Sequence, residues 1–291
     1  MNIHEALAGI VQRTENYLTF NILEIGSLPS EESPEPFHSL IHSFPGSRIN
    51  AFEVDAELCK TLNSKAISGF VHHPIALGRR EEERPFYITN HPMCCSLYKP
   101  NEKLLERFNN MEMSMLKAVS TIKTVSLDYF TAKNNIGPVD FIKIDIQGAE
   151  LDVFRGGVTT LRDVVAIVTE VEFIHLYENQ PLFGDVSAFL AEQGLSFNKF
   201  LEVGGRALKP TILDNNPNLP GQFMWSDSLF LKDPMHLDTI SSDQLLKQAV
   251  LALMYGCPDV SLYCFMEYDR RHSTTITREL LLAFAGTSDR K

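Results

Sequence analysis

The stretch of sequence that decides the fold reads Val139-Asp-Phe-Ile-Lys-Ile-Asp-Ile-Gln-Gly-Ala-Glu-Leu-Asp-Val-Phe-Arg-Gly-Gly157. Its first seven residues, ending at Asp145, predict a strand, Gln147-Gly148 predicts a turn, and residues 150–154 predict a helix. In doubly wound sheets, ligands bind beyond the carboxyl ends of the strands, where the winding reverses. Two acids, a Gln and a Gly at such a turn indicate a functional site, although capping of the helix by Asp145 or Gln147 is a simpler alternative.

Strands and helices alternate on both sides of this stretch. Strands are predicted over 18–26, 48–54, 69–75 and 164–171 and near 197–203 and 229–232, with additional short strands over 86–89 and 121–125. Helices are predicted over 3–18, 37–44, 56–63, 127–133 and 185–193 and near 103–108. Because several strands are apolar on both faces, the pattern indicates an α/β fold with a doubly wound, mostly parallel sheet that is covered on both sides.

The predicted organisation is one large domain with helical additions. An N-terminal helix occupies residues 1–18, the α/β domain residues 19–234, and a wholly helical C-terminal extension residues 235–291. In the extension, Leu245, Leu246, Ala249, Val250, Leu253 and Met254 share one apolar helix face. This segment is a lid, a surface for a homodimer, or a cap on the sheet.

Composition excludes some classes of function. The chain of 291 residues has 37 acidic and 26 basic residues and a net charge of -11, which disfavours nucleic acid as the main partner. Its five cysteines include no CxxC pair, so neither a disulfide framework nor a zinc site is indicated, and no metal is predicted. With no apolar run long enough to span a membrane and no signal-peptide pattern at Met1, we expect a soluble protein of the cytoplasm.

Acidic residues also end the first two predicted strands. Glu24 and Gly26 close the first strand, where glycine permits close approach of the backbone to a ligand and Glu24 suits the ammonium group of an amino-acid-like cofactor. Glu53 closes the second strand, where a carboxylate can accept hydrogen bonds from a ribose diol, while Asp55 is expected to cap the following helix. A strand that simply ends in a turn would explain Glu24 and Gly26 equally well.

A second acidic pair follows the strand over residues 164–171. Glu170 and Glu172 are separated by one residue, so they point the same way on an extended chain, and His175 is close enough to share their cleft. Paired acids can bind a metal or shape a general base. A solvated strand end is the alternative.

Taken in order, these segments resemble the FkbM family of S-adenosylmethionine-dependent methyltransferases. The strongest match is Val139–Gly157, which is close to the signature of that family. Shorter matches to the family, or to one branch of it, are Phe52–Asp55, Ala76–Gly78, Cys95–Asn101, Glu170–Phe173, Gln180–Phe183 and Gly221–Phe223. The resemblance spans about residues 20 to 232, which is most of the chain.

The resemblance implies a seven-stranded class I methyltransferase sheet, which is Rossmann-like, with S-adenosyl-L-methionine bound over the first strands. It implies roles for the following residues: Glu24 and Gly26 at the amino-acid portion of the donor, Glu53 at its ribose, Ala76 and Leu77 near its adenine, and Asp145 at the centre of the cleft. Members of the family mostly methylate oxygen atoms of small molecules such as natural products and sugars.

The expected reaction is therefore O-methylation of a small-molecule hydroxyl, as in secondary metabolism. The candidate catalytic residues are Asp145 and His175 as bases, with Glu172 and Glu170 shaping the site. A carboxylate acceptor would need no base. The segment Ser27–Pro34 lacks the glycines that the family usually carries there, which leaves open a non-catalytic relative that has lost the donor. A nucleotide-dependent oxidoreductase is disfavoured, because the sequence has no GxGxxG fingerprint.

Overall fold

The computed structural model describes residue 9 and residues 17–26, 35–212, 214–216, 218–219 and 221–288. Its strands are β1 Asn21–Ile25, β2 Arg48–Glu53, β3 Phe70–Pro74, β4 Ala76–Gly78, β5 Glu82–Thr89, β6 Leu116–Ser126, β7 Phe141–Ile144, β8 Ala166–Glu172, β9 Leu195–Gly204 and β10 Trp225–Lys232. Its α-helices are α1 Leu40–Ser43, α2 Ala56–Lys65, α3 Glu102–Leu105, α4 Leu127–Lys133, α5 Glu150–Arg155, α6 Phe183–Glu192, α7 Ser242–Met254, α8 Pro258–His272 and α9 Ile276–Ser288. Short 3-10 helices occupy Pro36–Ser39, Pro92–Cys94, Glu112–Ser114, Thr160–Arg162 and Pro234–Thr239.

Seven strands form the main sheet, in the order β3-β2-β1-β7-β8-β10-β9. The first five are parallel to their neighbours, whereas β10 is antiparallel to both β8 and β9. The winding reverses between β1 and β7, so the carboxyl ends of these two strands define the switch point. The predicted α/β fold with a mostly parallel sheet is confirmed.

Both faces of the sheet are covered. On one face α7 packs over β8 and β10, and its residues Leu245, Leu246, Ala249 and Leu251 are fully buried in a core that also includes Phe37 and strand residues such as Ile22 and Phe141. On the other face, residues of α4, α5 and α6 pack against Leu23, Ile142 and Ile167. The C-terminal helices thus share a core with the sheet and cap one of its faces.

A second, three-stranded sheet lies beside the first, in the order β4-β6-β5. The strands predicted over 86–89 and 121–125 were too short, because β5 and β6 extend to eight and eleven residues. Most of β6 is exposed, and it contains many Lys, Ser and Thr residues. The alternation of apolar and polar residues that identifies a strand is therefore weak in this segment. β4 was not predicted as a strand.

A third, smaller core is separate from the two that cover the sheet. We call it the wall core: it consists of Leu105, Phe108, Met111, Leu176, Tyr177 and Met224. These side chains come from the irregular segment between β5 and β6, from the chain after β8, and from the residue before β10. The wall core therefore lies beside the carboxyl end of β8, where Glu170 and Glu172 are found.

Some predictions fall on residues that are not described. The helix over 3–18 lies outside the described residues, apart from Gly9, which is helical, and Tyr17 and Leu18, which are not. The segment Ser27–Pro34 lies outside them entirely. All five cysteines are free thiols. Within the described part of the chain, no helix combines the length and apolar character needed to cross a membrane.

Candidate active site

The carboxyl ends of β1 and β7 meet at Gly26 and Asp145. The Asp145 amide donates to the carbonyl of Ile25 at 2.9 Å, and the Gly26 amide donates to the carbonyl of Phe52 at 3.1 Å. Gly26 has a φ of +86°, and a Cβ at this position would lie 1.9 Å from the carbonyl oxygen of Asp145. Only glycine fits here, so close contact of the two strand ends explains why this residue follows β1.

The turn after β7 is held by Glu150 and not by helix capping. Gln147 and Gly148 adopt consecutive left-handed conformations, with φ of 59° and 95°. Oε1 of Glu150 accepts hydrogen bonds from the amides of Ile146 at 2.8 Å and Gly148 at 3.2 Å. No side chain caps α5, so the capping role considered for Asp145 and Gln147 is wrong. The side chains of Asp145 and Gln147 instead bond to each other, and Gln147 also bonds to Glu170.

Gln147 connects carboxyl groups from two strand ends. Its Nε2 donates to Oδ1 of Asp145 at 2.9 Å and to Oε2 of Glu170 at 2.6 Å. Oxygen atoms of Asp145, Glu150 and Glu170 all lie within 4.8 Å of one another, a spacing that would also suit a cation. In this arrangement, hydrogen bonds from Gln147 and from the backbone already engage one oxygen of each carboxyl group. We call Asp145, Glu150, Glu170 and Glu172 the acid cluster.

Burial and the charge of neighbouring carboxylates raise the pKa values of the three glutamates of the acid cluster. Burial is the largest cause of the rise in the pKa of Glu150, to about 7, and the charge of Asp145 adds to it against backbone hydrogen bonds. The pKa values of Glu170 and Glu172 lie well above the ordinary range, again through burial first and neighbouring carboxylates second. These groups therefore retain protons at a pH where surface glutamates are ionised. Perturbed carboxyls of this kind are typical of catalytic sites.

A second layer of hydrogen bonds orients Gln147. Oη of Tyr177 lies 2.9 Å from both Oε1 of Gln147 and the carbonyl oxygen of Cys94, so its single hydrogen is shared between them. Oγ of Ser96 donates to the Gln147 carbonyl at 2.7 Å, and Oε1 of Gln180 accepts from the Tyr177 amide. Gln147 and Gln180 stand within the sequence matches noted above, but no sequence signal pointed to Tyr177.

Glu24 and Glu53, two of the residues predicted around the donor, lie on the neighbouring strands β1 and β2. Oε2 of Glu24 lies 3.0 Å from Nε2 of His38. Oε1 of Glu53, at the end of β2, accepts from the Asp55 amide at 3.0 Å. The Asp55 side chain caps α2, as predicted.

The predicted adenine neighbours, Ala76 and Leu77, are both buried in β4, a strand of the second sheet. The end of β2 lies close to β4.

Glu24 also lies next to an ion pair whose lysine is buried. Lys143, its neighbour on β7, bonds through Nζ to Oδ1 of Asp227 at 2.8 Å. Burial alone would lower the pKa of Lys143, but the carboxylates of Asp145 and Asp227 outweigh it and raise that pKa. The lysine is thereby held as a cation beneath the strand ends.

The two remaining predicted catalytic residues differ in their surroundings. Glu172 is 2% exposed and belongs to the acid cluster. His175 is exposed, and its carbonyl oxygen accepts from Nδ2 of Asn101 at 2.9 Å. Among the described residues, no side-chain hydrogen bond links the His175 ring to the acid cluster.

Comparisons with known proteins identify the family. The model of the methyltransferase FkbM domain matches residues 25–197. The chain is similar to the crystal structure of methyltransferase FkbM from Methylobacillus flagellatus KT, with a TM-score of 0.40 and 12% identity, covering 77% of this chain and 47% of that one. It is also similar to a pericyclic reaction enzyme, with a TM-score of 0.29, 9% identity and coverage of 78% and 47%. A third similar structure, an uncharacterized protein from Burkholderia thailandensis, has a TM-score of 0.29, 10% identity and coverage of 79% of both chains.

The chain thus spans about half the length of the first two of these structures. No curated protein matches the sequence. The domain model covers more than half of the residues and includes the acid cluster. The chain belongs to the FkbM methyltransferase family.

Proposed function

We propose that the protein is an S-adenosylmethionine-dependent methyltransferase that methylates a hydroxyl oxygen of a small molecule. One observation carries this proposal within the family: the acid cluster and Gln147 occupy the strand ends beside the switch point. The strand order from β3 to β8 corresponds to the 3-2-1-4-5 order of Rossmann-type sheets, so we assign the sheet to the class I, Rossmann-like arrangement.

The donor would lie across the ends of β1 and β2. The backbone at Gly26 permits close approach, and Glu24 would hold the ammonium group of the amino-acid portion. At the end of β2, the carboxylate of Glu53 would accept hydrogen bonds from the ribose hydroxyls. Ala76 and Leu77, both buried and apolar, would lie on the adenine side. Methyl transfer is an in-line displacement, so these contacts act by positioning the methyl group.

Glu170 is the best-placed proton acceptor for a hydroxyl. It is more exposed than Glu172, its pKa is raised by burial and by neighbouring carboxylates, and Gln147 orients it. A raised pKa makes a carboxylate, once it is ionised, a stronger proton acceptor than an ordinary glutamate. Asp145, bonded to the same Gln147 amide, would face the reacting atoms, while Glu172 supports the raised pKa of Glu170 from behind.

The experiment that tests this proposal measures both donor binding and product formation. Isothermal titration with S-adenosylmethionine should show binding, and incubation with hydroxylated small molecules should yield products that are heavier by one methyl group. Glu170→Gln should bind the donor normally but lose most of the turnover, about a hundredfold or more if it removes a general base. His175→Ala serves as the comparison: full turnover at neutral pH would remove His175 from the candidate bases.

Two alternative functions predict different results. A non-catalytic relative would show neither heat on donor titration nor a thermal shift. A methyltransferase for carboxylates would give methyl esters, and Glu170→Gln would then change turnover little, because no proton has to be removed. We expect the protein to bind the donor and to form methyl ethers. We also expect it to be located in the cytoplasm.

A further inference from the structure

Arg206 has no acidic partner in the described part of the chain. Ion pairs engage many of the arginines and lysines, but no described carboxylate lies within 4.0 Å of the Arg206 guanidinium. Among the described residues, its side chain donates one hydrogen bond, from Nη1 to the carbonyl of the preceding Gly205 at 2.8 Å. Nε of Arg206 is buried and has no acceptor. Exposed arginines such as Arg48 and Arg107 also lack a carboxylate among the residues that the structure describes, but Arg206 is half-buried and its Nε is buried without an acceptor, and this combination points to a ligand.

An aromatic ring supports the guanidinium of Arg206. The guanidinium lies over the ring of Trp225, 4.9 Å from the ring centroid. Trp225 begins β10, where it lies opposite Gly204 of β9 on one side and Glu172 of β8 on the other. A Cβ at Gly204 would approach the indole to 2.3 Å, so glycine leaves room for the ring. Stacking on the ring orders the guanidinium before any ligand binds.

Arg206 also lies near the acid cluster, because its guanidinium lies over Trp225 and Trp225 is paired with Glu172 across β10 and β8. Burial raises the pKa of the Cys94 thiol; the charge of Asp145 adds to this rise and the guanidinium of Arg206 opposes it. Cys94 is therefore within electrostatic reach of both residues. Its carbonyl accepts from Tyr177, whose hydroxyl also contacts Gln147.

The position of Arg206 favours the methyl acceptor over the donor. Neighbouring strands are about 4.8 Å apart, so β10 lies roughly 19 Å from β2, four strands away, where Glu53 would bind the ribose. It lies roughly 14 Å from β1, where the amino-acid end of the donor is expected. Arg206 is thus on the far side of Asp145 and Glu170 from the donor.

We propose that Arg206, stacked on Trp225, binds an anionic group of the methyl acceptor, a carboxylate or a phosphate. The planar guanidinium can donate two parallel hydrogen bonds to either group. This inference rests on the proposed function and narrows its substrate class to hydroxylated small molecules that carry an oxyanion. The acid cluster would repel such an anion, so Arg206 fixes which end of the acceptor stays away from Glu170.

Trp225 is the only tryptophan in the chain, so its fluorescence reports directly on this subsite. The probes are benzoate, phenyl phosphate and the neutral benzamide, each titrated into the full-length protein with S-adenosylmethionine present. We expect saturable changes in emission with one or both anions, the tighter of which identifies the preferred oxyanion, and none with benzamide. Arg206→Gln should weaken anion binding about tenfold or more, and Arg206→Lys should have an intermediate effect. Arg48→Gln, at the opposite end of the sheet, is the matched control and should bind as the wild type does.

The inference and the proposed function can fail separately. If the wild type binds S-adenosylmethionine but responds alike to benzoate and benzamide, or if folded Arg206→Gln and Arg206→Lys bind the anions unchanged, the anion subsite is refuted. If the anions bind in an Arg206-dependent way but no heat accompanies donor titration, the proposed function fails and the subsite stands. Thermal unfolding of each variant establishes that it is folded.

Discussion

Replacement of Glu150 by Gln tests whether burial of this carboxyl beside Asp145 raises its pKa and so makes the stability of the fold depend on pH. In the wild type, Oε1 of Glu150 accepts from the amides of Ile146 and Gly148, and the carboxyl is 2% exposed. The amide oxygen of Gln can accept the same two hydrogen bonds. Its Nε2 would then face oxygen atoms of Asp145 and Glu170, which lie within 4.8 Å, so one buried charge is exchanged for a donor.

The magnitude follows from the raised pKa of Glu150. The folded state holds this proton to about pH 7, whereas an ordinary glutamate releases it near 4.5. The folded state therefore binds more protons than the unfolded chain between these values, and its free energy of unfolding falls as the pH rises through this window. The difference corresponds to about 3 kcal/mol, which is present below pH 4.5 and lost above pH 7. Glu150→Gln cannot ionise and should not lose it.

Urea unfolding at pH 5, 6, 7 and 8, followed by circular dichroism, measures this difference. The free energies of unfolding of the variant and the wild type should be similar at pH 5 and should diverge to about 3 kcal/mol at pH 8, with the variant more stable. Glu192→Gln, at the exposed end of α6, is the control and should follow the wild type. Parallel curves for Glu150→Gln and the wild type would refute the raised pKa of Glu150.

Three further substitutions test other parts of the structure. Gly26→Ala places a methyl group 1.9 Å from the Asp145 carbonyl oxygen, so it should abolish detectable donor binding by calorimetry; binding at wild-type affinity would contradict the close contact of the strand ends. Lys143→Met leaves the carboxylate of Asp227 without its cation. Because that carboxylate is 33% exposed, the substitution should lower the free energy of unfolding in urea by about 1 kcal/mol, less than the loss of a fully buried pair; an unchanged urea midpoint would show that the pair does not stabilise the fold. Leu246 is fully buried in α7, so Leu246→Ala should lower the free energy of unfolding by about 2–5 kcal/mol in the same assay. A decrease below about 1 kcal/mol would mean that α7 is not part of the core.

Much of the main sheet could be predicted from the sequence, because buried strands carry unbroken apolar runs. The strand predicted over 48–54 is β2, Arg48–Glu53, and the one over 164–171 is β8, Ala166–Glu172. The same reasoning failed on β6, whose eleven residues are mostly exposed and polar. Its pairing with β5 is a long-range contact that no local periodicity reports.

The site was predictable where strand ends form it and not where loops do. Asp145 and Glu170 could be placed together, because adjacent parallel strands end at the same edge. Tyr177 and Arg206 reach the site from irregular segments, and their positions depend on tertiary packing. His175 follows Glu172 by only three residues but is exposed, because the chain leaves β8 between them. Spacing along an extended chain therefore overestimates how close the two side chains come.

The independence of the wall core bears on how new acceptors could be accommodated. None of its six buried residues belongs to the cores on either face of the sheet. Apart from Tyr177, whose hydroxyl contacts Gln147, changes of side-chain volume there alter the shape of one side of the cleft without disturbing the framework that carries Gly26 and Asp145. Grafting residues 100–115 and 205–224 together from another family member, with Cys94, Ser96 and Tyr177 retained, would therefore transfer acceptor preference onto an intact scaffold.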